Sequence, residues 1–133
     1  MADQSRTIAS LYEAFARGDV PAVLAALSPD IRWTEAEGFP YGGTYVGHDA
    51  VLQNVFAKLG SEWDGYAAVP GEIIASGDTV VALGEHSGTY KATGKRFKAP
   101  FAHVWKFGGD KAISFTQYTD TAVVQRALQA DAA

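Results

Sequence analysis

Residues 95–121, KRFKAPFAHVWKFGGDKAISFTQYTDT, decide how the rest of the chain is read. Phe97, Ala99, Phe101, His103, Trp105 and Phe107 occupy alternate positions, so residues 95–107 read as a strand with one apolar face. FGGDK is a short glycine-containing hairpin connection, and residues 111–120 read as the returning strand. A histidine thus stands in the apolar row between Phe101 and Trp105. On the second strand Ile113 and Phe115 share a face, which would also take Gln117. Tyr118 and Asp120 have the opposite parity. A β-bulge near Thr116-Gln117 would turn Tyr118 and Asp120 inward with them; without it they face outward.

Upstream of this hairpin, residues 66–76 and 78–90 read as two further strands, joined by SGD and KATGK. The first half is mainly helical. Ile8, Leu11, Tyr12 and Phe15 form a stripe over residues 5–17, with Ser5 as a candidate N-cap and Gly18 just past the end. Asp19 can cap a second helix that has Pro21 in its first turn and buries Val20, Val23, Leu24 and Leu27. Ser28-Pro29 stops it. DIRWTEAE alternates Ile31, Trp33 and Glu35 on one side and reads as a strand. GFPYGGTYVG reads as a loop. A third helix spans roughly 48–59, with Gly60 as its stop. Residues 120–129 read as a terminal helix or arm, and the tail ALQADAA as frayed. Three helices before an antiparallel meander predict one α+β domain over residues 1–133, ordered from about 5 to 128.

Composition narrows the function. The net charge of −4 is spread along the chain with no basic stripe, which argues against a nucleic-acid partner. No cysteine is present, so a disulfide framework, a thiol nucleophile and a thiolate metal site are excluded. No stretch has the length of a membrane span, and residues 1–15 lack the pattern of a signal peptide. A cytoplasmic protein is expected. The three histidines are scattered with no paired ligand spacing, and no phosphate loop is visible; neither metal nor cofactor is expected.

The order of elements, with LYEAFARGDVPAVLAALSPDIRW, YGGTYVGHDAVLQNVF and FAHVWKFGGDKAISFTQYTDT, resembles the nuclear transport factor 2-like superfamily. That group includes ketosteroid isomerases, SnoaL-like polyketide cyclases and scytalone dehydratase. The resemblance covers nearly the whole chain and is specific for fold rather than chemistry. It implies a bent sheet wrapped around a helix into a cone with a pocket at its open end, and dimerisation through the outer sheet face. In ketosteroid isomerases a carboxylate on the first strand shuttles the proton, beside a tyrosine and a protonated acid. The resemblance puts Glu35 at the position of the base and His103, in HVWKF, at that of the acid. The family's first-helix tyrosine aligns with Leu11; Tyr12, one residue on, is expected to project elsewhere.

His103, Glu35 and Tyr118 are therefore the candidate catalytic residues. Trp33, Tyr41, Tyr45, Phe101, Trp105 and Asp120 are the candidate ligand contacts. Burial in the apolar row would disfavour a charged His103, and a nearby carboxylate would oppose that shift. The plainer alternative is a core histidine satisfied by one hydrogen bond. Glu35 is either a base inside an aromatic pocket or a solvated strand-end carboxylate, and Asp120 either a site residue or a helix N-cap. Of Glu85 and His86, only one can face inward. His48 is expected on the surface. Gly42-Gly43, between Tyr41 and Tyr45, offers a hinge for a lid over residues 38–46. The opposite sheet face, with Arg96, Lys98, Ala102, Val104 and Lys106, suits a homodimer contact. Three functions fit: a cofactor-free isomerase, lyase or cyclase acting on a small hydrophobic carbonyl compound, a non-catalytic module binding such a molecule, or a dimerisation domain with a filled cone.

Overall fold

The computed structural model describes residues 4–130. Helix α1 (Gln4–Ala16) buries Ile8, Leu11 and Tyr12 as the stripe requires. It begins one residue ahead of Ser5, which lies inside the helix rather than capping it. Its end carries a two-bond cap: Gly18 N–H donates to Phe15 O at 3.1 Å and Asp19 N–H to Ala14 O at 2.8 Å. That arrangement puts Gly18 at φ 75°, which a side chain would resist. The Asp19 carboxylate then accepts Ala22 N–H at 3.2 Å and caps α2 (Val20–Ala25).

Leu27, expected on α2, instead opens β1 (Leu27–Glu35), because the chain pairs with the last strand as soon as the helix stops. Pro29 falls in a stretch where this pairing is interrupted, which suits a residue with no N–H to give. Residues 43–46, expected as loop, form an edge strand, β2 (Gly43–Val46), antiparallel to β1 with Tyr45 opposite Trp33. Thr44 and Thr34 hydroxyls bond across the pair at 3.0 Å. The third helix runs as α3 (His48–Val51), a π-helical segment (Leu52–Phe56) and α4 (Ala57–Glu62). Gly60 is passed over rather than ending it.

Strands β3 (Trp63–Ser76), β4 (Thr79–Tyr90), β5 (Lys95–Gly108) and β6 (Lys111–Thr119) form the meander, followed by α5 (Thr121–Leu128). The six-stranded sheet has the order β2-β1-β6-β5-β4-β3, with only β1 and β6 parallel. Register shifts after Asp64 and Pro70 bend β3. At the second, β3 lies so close to Gly84 that a Cβ there would sit 2.1 Å from Val69 O. The curved sheet closes over α1 and the π segment, and the aromatic core fills the space between.

The last strand corrects the expected bulge. Its irregularity lies at Ile113, between the Lys106–Ser114 and Phe107–Ala112 pairs, and pairing is regular from Ser114 to Thr119. Ile113 is pushed outward, while Phe115 and Gln117 keep the inward parity and are buried. Asp120 accepts Val123 N–H at 3.3 Å and is the N-cap of α5. Ala127, in the expected frayed tail, is buried; residues 131–133 of that tail lie outside the described residues. Among the described residues no helix is long and apolar enough to cross a membrane.

Candidate functional site

A cavity of about 40 Å³ lies inside the cone. It is walled by α1, Val23 of α2, the π segment and Leu59 of α4, the end of β1 and the inner face of β3, β5 and β6. At ~10–15 Å³ per water it has room for roughly three ordered waters, enough for the polar end of a ligand. Of its lining residues only Phe15, Tyr66 and Ala68 are partly exposed, so they mark its mouth. The π segment widens one helical turn where Val55 and Phe56 meet the cavity, a placement typical of π turns at functional sites.

Two expected catalytic residues line this cavity. Glu35 is 4% exposed and His103 5%. The alternation on β1 puts Glu35 on the same face as Ile31 and Trp33. Gln117 lies opposite His103 in the register, and its Oε1 accepts Ala36 N–H at 3.0 Å, which ties β6 to the backbone beside Glu35. Burial pushes the Glu35 carboxyl up to about 8; the Trp33 indole N–H pulls it back in part without reaching hydrogen-bonding geometry. Burial, helped by nearby His86, holds His103 well below the usual histidine range, so its ring is neutral.

The bonds around Tyr12 favour one tautomer of His103, because a Tyr12 oxygen that accepted from both neighbours would strand its own proton. Trp105 Nε1–H donates to the Tyr12 oxygen at 3.3 Å. The Tyr12 hydroxyl lies 2.5 Å from His103 Nδ1, where its proton finds an acceptor. A neutral ring that accepts at Nδ1 carries its hydrogen at Nε2. That Nε2–H is buried without a protein partner, as is Glu35 Oε2. Phe101 stacks on the His103 ring at 3.9 Å and fixes its plane.

Other expectations fare differently. Trp33 and Trp105 line the cavity; Phe101 stands behind His103, outside the lining. Tyr118 is on the outer sheet face, 58% exposed, because without a bulge at Thr116-Gln117 its parity is outward. Asp120 is spent as a cap. Tyr41 is not an exposed loop tip: it is buried, its hydroxyl donates to the Glu62 carboxylate, and Trp63 Nε1–H donates to it at 3.0 Å. Tyr45 donates to Tyr41 O at 2.8 Å, so both aromatics pin the turn. His86 is the inward member of its pair. His48 is half-buried, bonded to Leu27 O at 3.0 Å.

Tyr12 is the main residue that the alignment with Leu11 discounted. A hydroxyl within the Ile8–Leu11–Tyr12–Phe15 stripe was the same signal as His103 in its row, a polar group on a buried face. Tyr66 and Gln117 also line the cavity. Gln117 could be read from its alternation with Phe115, beyond the irregularity at Ile113. Among the described residues, no group of His, Asp or Glu side chains is placed to hold a metal ion.

The SnoaL-like domain family matches residues 8–115, and the chain belongs to that family. A nuclear transport factor 2-like protein of Burkholderia thailandensis is similar at 43% identity and TM-score 0.93, over 97% of this chain and 99% of its own. One from Burkholderia pseudomallei is similar at 37% and 0.89, over 98% and 100%. TerC, crystallised with polyporic acid, is similar at 26% and 0.85, over 95% and 98%. Among curated proteins no match is found.

Proposed function

We propose that the protein is a cofactor-independent acid–base enzyme, of the isomerase, lyase or cyclase kind, acting on a small hydrophobic molecule that carries a carbonyl. The observation that carries this reading is a set of buried polar atoms without a hydrogen-bond partner in one aromatic cavity, His103 Nε2, Glu35 Oε2 and the Trp33 indole Nε1, of which the first two are suited to meet a carbonyl and to take a proton. Each costs the fold about 1–3 kcal/mol unless something else pairs with it. A ligand carbonyl satisfies the first. A proton on the carbon next to that carbonyl falls to the second.

The neutral Nε2–H polarises the carbonyl and then holds the oxyanion as charge develops on it. Ionised Glu35 takes the proton from the adjacent carbon and becomes the neutral acid that burial favours. It returns the proton at another carbon, or the enolate expels a group or closes a ring. With its pKa at about 8, roughly one Glu35 in ten is ionised at neutral pH; a base so tuned is stronger than an ordinary glutamate. TerC crystallised with polyporic acid supports a cone of this family as a holder of small organic molecules.

The test needs no known substrate. Small enolisable aryl ketones, such as acetophenone and tetralone, are incubated with the protein in heavy water, and exchange of the protons beside the carbonyl is followed by NMR. Exchange that disappears in Glu35→Gln and His103→Phe is the expected result. Ketones that bind without exchange make the cone a binding module, and ketones that neither bind nor exchange remove the reading.

A further inference from the structure

A second tyrosine–histidine pair, of opposite polarity, reaches the same cavity through Tyr66, while His86 lies behind it. Thr119 Oγ1 lies 2.7 Å from Pro100 O, a carbonyl that can only accept, so the threonine proton is committed there. His86 Nε2, 2.8 Å from Thr119 Oγ1, must then be the donor of that bond. A neutral His86 with its hydrogen at Nε2 accepts at Nδ1, and the Tyr66 hydroxyl 2.8 Å away donates to it. Burial pushes His86 down to about 4, which keeps the ring neutral. The three protons all run one way, from the cavity mouth toward the sheet backbone. Tyr66 has given up its only proton, and what it retains is an oxygen lone pair.

The two chains therefore end differently. The Tyr12–His103 chain ends in an N–H, and the Tyr66–His86–Thr119 chain ends in an acceptor. Both His103 and Tyr66 line the one cavity. His86 has no exposure and is packed among rings, Phe97 at 5.0 Å and Phe39 at 5.8 Å among them. A phenylalanine would pack there without needing two hydrogen bonds; the imidazole adds a fixed direction for the Tyr66 proton.

We propose that Tyr66 is a specificity-determining acceptor, oriented by His86 and Thr119 as positioning residues, and that the cone's ligand is a hydroxy-carbonyl compound whose hydroxyl donates to Tyr66 while its carbonyl accepts from His103. This rests on the reading of His103 as the carbonyl's donor. A plain ketone fills only one end of the site, and an ether in place of the hydroxyl sets two lone pairs against each other.

Phenacyl alcohol, its methyl ether and acetophenone separate these cases. Their dissociation constants are measured by NMR titration on the wild type, Tyr66→Phe, His86→Leu and His103→Phe. The expected result is that phenacyl alcohol binds the wild type about tenfold or more tighter than the other two. Tyr66→Phe should erase that preference, bringing phenacyl alcohol down to the affinity of its methyl ether and acetophenone. In His86→Leu the freed tyrosine proton can turn toward the ligand, so the methyl ether should gain on the alcohol. Equal binding of all three compounds to the wild type, with affinity still lost in His103→Phe, overturns this inference and spares the carbonyl reading. Binding indifferent to His103→Phe, or no binding at all, overturns both. If His86→Leu does not fold, Tyr66→Phe decides alone.

Discussion

The Tyr12 hydroxyl lies 2.5 Å from His103 Nδ1, in a bond that joins the first helix to the middle of β5 and pairs both groups best with the tyrosine as donor. This bond sets which nitrogen of His103 faces the cavity with a hydrogen. Long-range nitrogen–proton NMR correlations of the wild type should show His103 as the neutral Nε2–H form at pH 7. It should remain neutral well into the acid range, because burial opposes its charge. Tyr12→Phe removes the proton that selects the tautomer, and both neutral forms should then be seen. A wild-type ring protonated at Nδ1, or charged at pH 7, contradicts the assignment.

Glu35 and the two buried histidines should leave opposite marks on stability against pH. Glu35 holds its proton more tightly folded than unfolded. Its stabilising contribution is complete below 4.5 and is lost as pH rises toward about 8. His86 and His103 are held neutral, so they weaken the fold as pH drops below 6.5, in the case of His86 down to about 4. Between 4.5 and 6.5 the effects oppose each other. From 6.5 to 8 only Glu35 of the three still titrates differently in the two states, and stability should fall with rising pH by up to about 2 kcal/mol. Urea unfolding at the two ends of that window checks this. Glu35→Gln should be flat there, and a flat wild-type profile means that Glu35 titrates as an ordinary glutamate.

The alternation of Phe97 to Phe107 and of Ile31, Trp33 and Glu35 was enough to read the inner face of the sheet and the place of His103 and Glu35 on it. Period-two burial is a local property of a strand, so it survives without knowledge of partners. What was not legible depends on partners. The bulge at Ile113 is fixed by the register against β5, and without that register Tyr118 could be turned either way. The strand Gly43–Val46 exists because β1 offers it an edge, although its own glycines and tyrosines read as loop. The role of Tyr12 is hidden because a resemblance compares positions along a helix, whereas the reach of a tyrosine spans more than one position. The proton directions in the Tyr66–His86–Thr119 chain require Pro100 O, a backbone atom on a neighbouring strand.

The outer sheet face should pair with a second copy. Ile74, Val81, Leu83, Ala102, Val104 and Tyr118 lie on it across neighbouring strands, and Ile74 and Tyr118 are among the large apolar side chains left exposed. An apolar patch of this kind, rimmed by the exposed Lys98–Glu85 pair at 3.5 Å, suits an isologous contact. Light scattering at micromolar concentration should give a dimer, and Val104→Asp with Tyr118→Asp should give a folded monomer. A wild-type monomer across that range removes the proposal.

Counting stranded polar groups around Tyr12 and His103 predicts the stability of their variants. The wild type leaves one of the cluster's buried polar atoms unpaired, His103 Nε2. His103→Phe removes that atom but leaves the Tyr12 proton without its acceptor, so the number is unchanged and stability should be close to wild type. Tyr12→Phe strands His103 Nδ1 and the Trp105 N–H in addition to Nε2. Two further stranded groups at about 1–3 kcal/mol each should cost it about 2–6 kcal/mol. The double variant strands only the Trp105 N–H, so adding His103→Phe to Tyr12→Phe should restore most of what was lost. Thermal and urea unfolding of the four proteins close this double-mutant cycle. His103→Phe and the double variant should both lose the ligand despite their stability, since each removes the Nε2–H that meets the carbonyl. If the two substitutions are instead destabilising and additive, His103 and Tyr12 pack independently, and the imidazole is an ordinary member of the core.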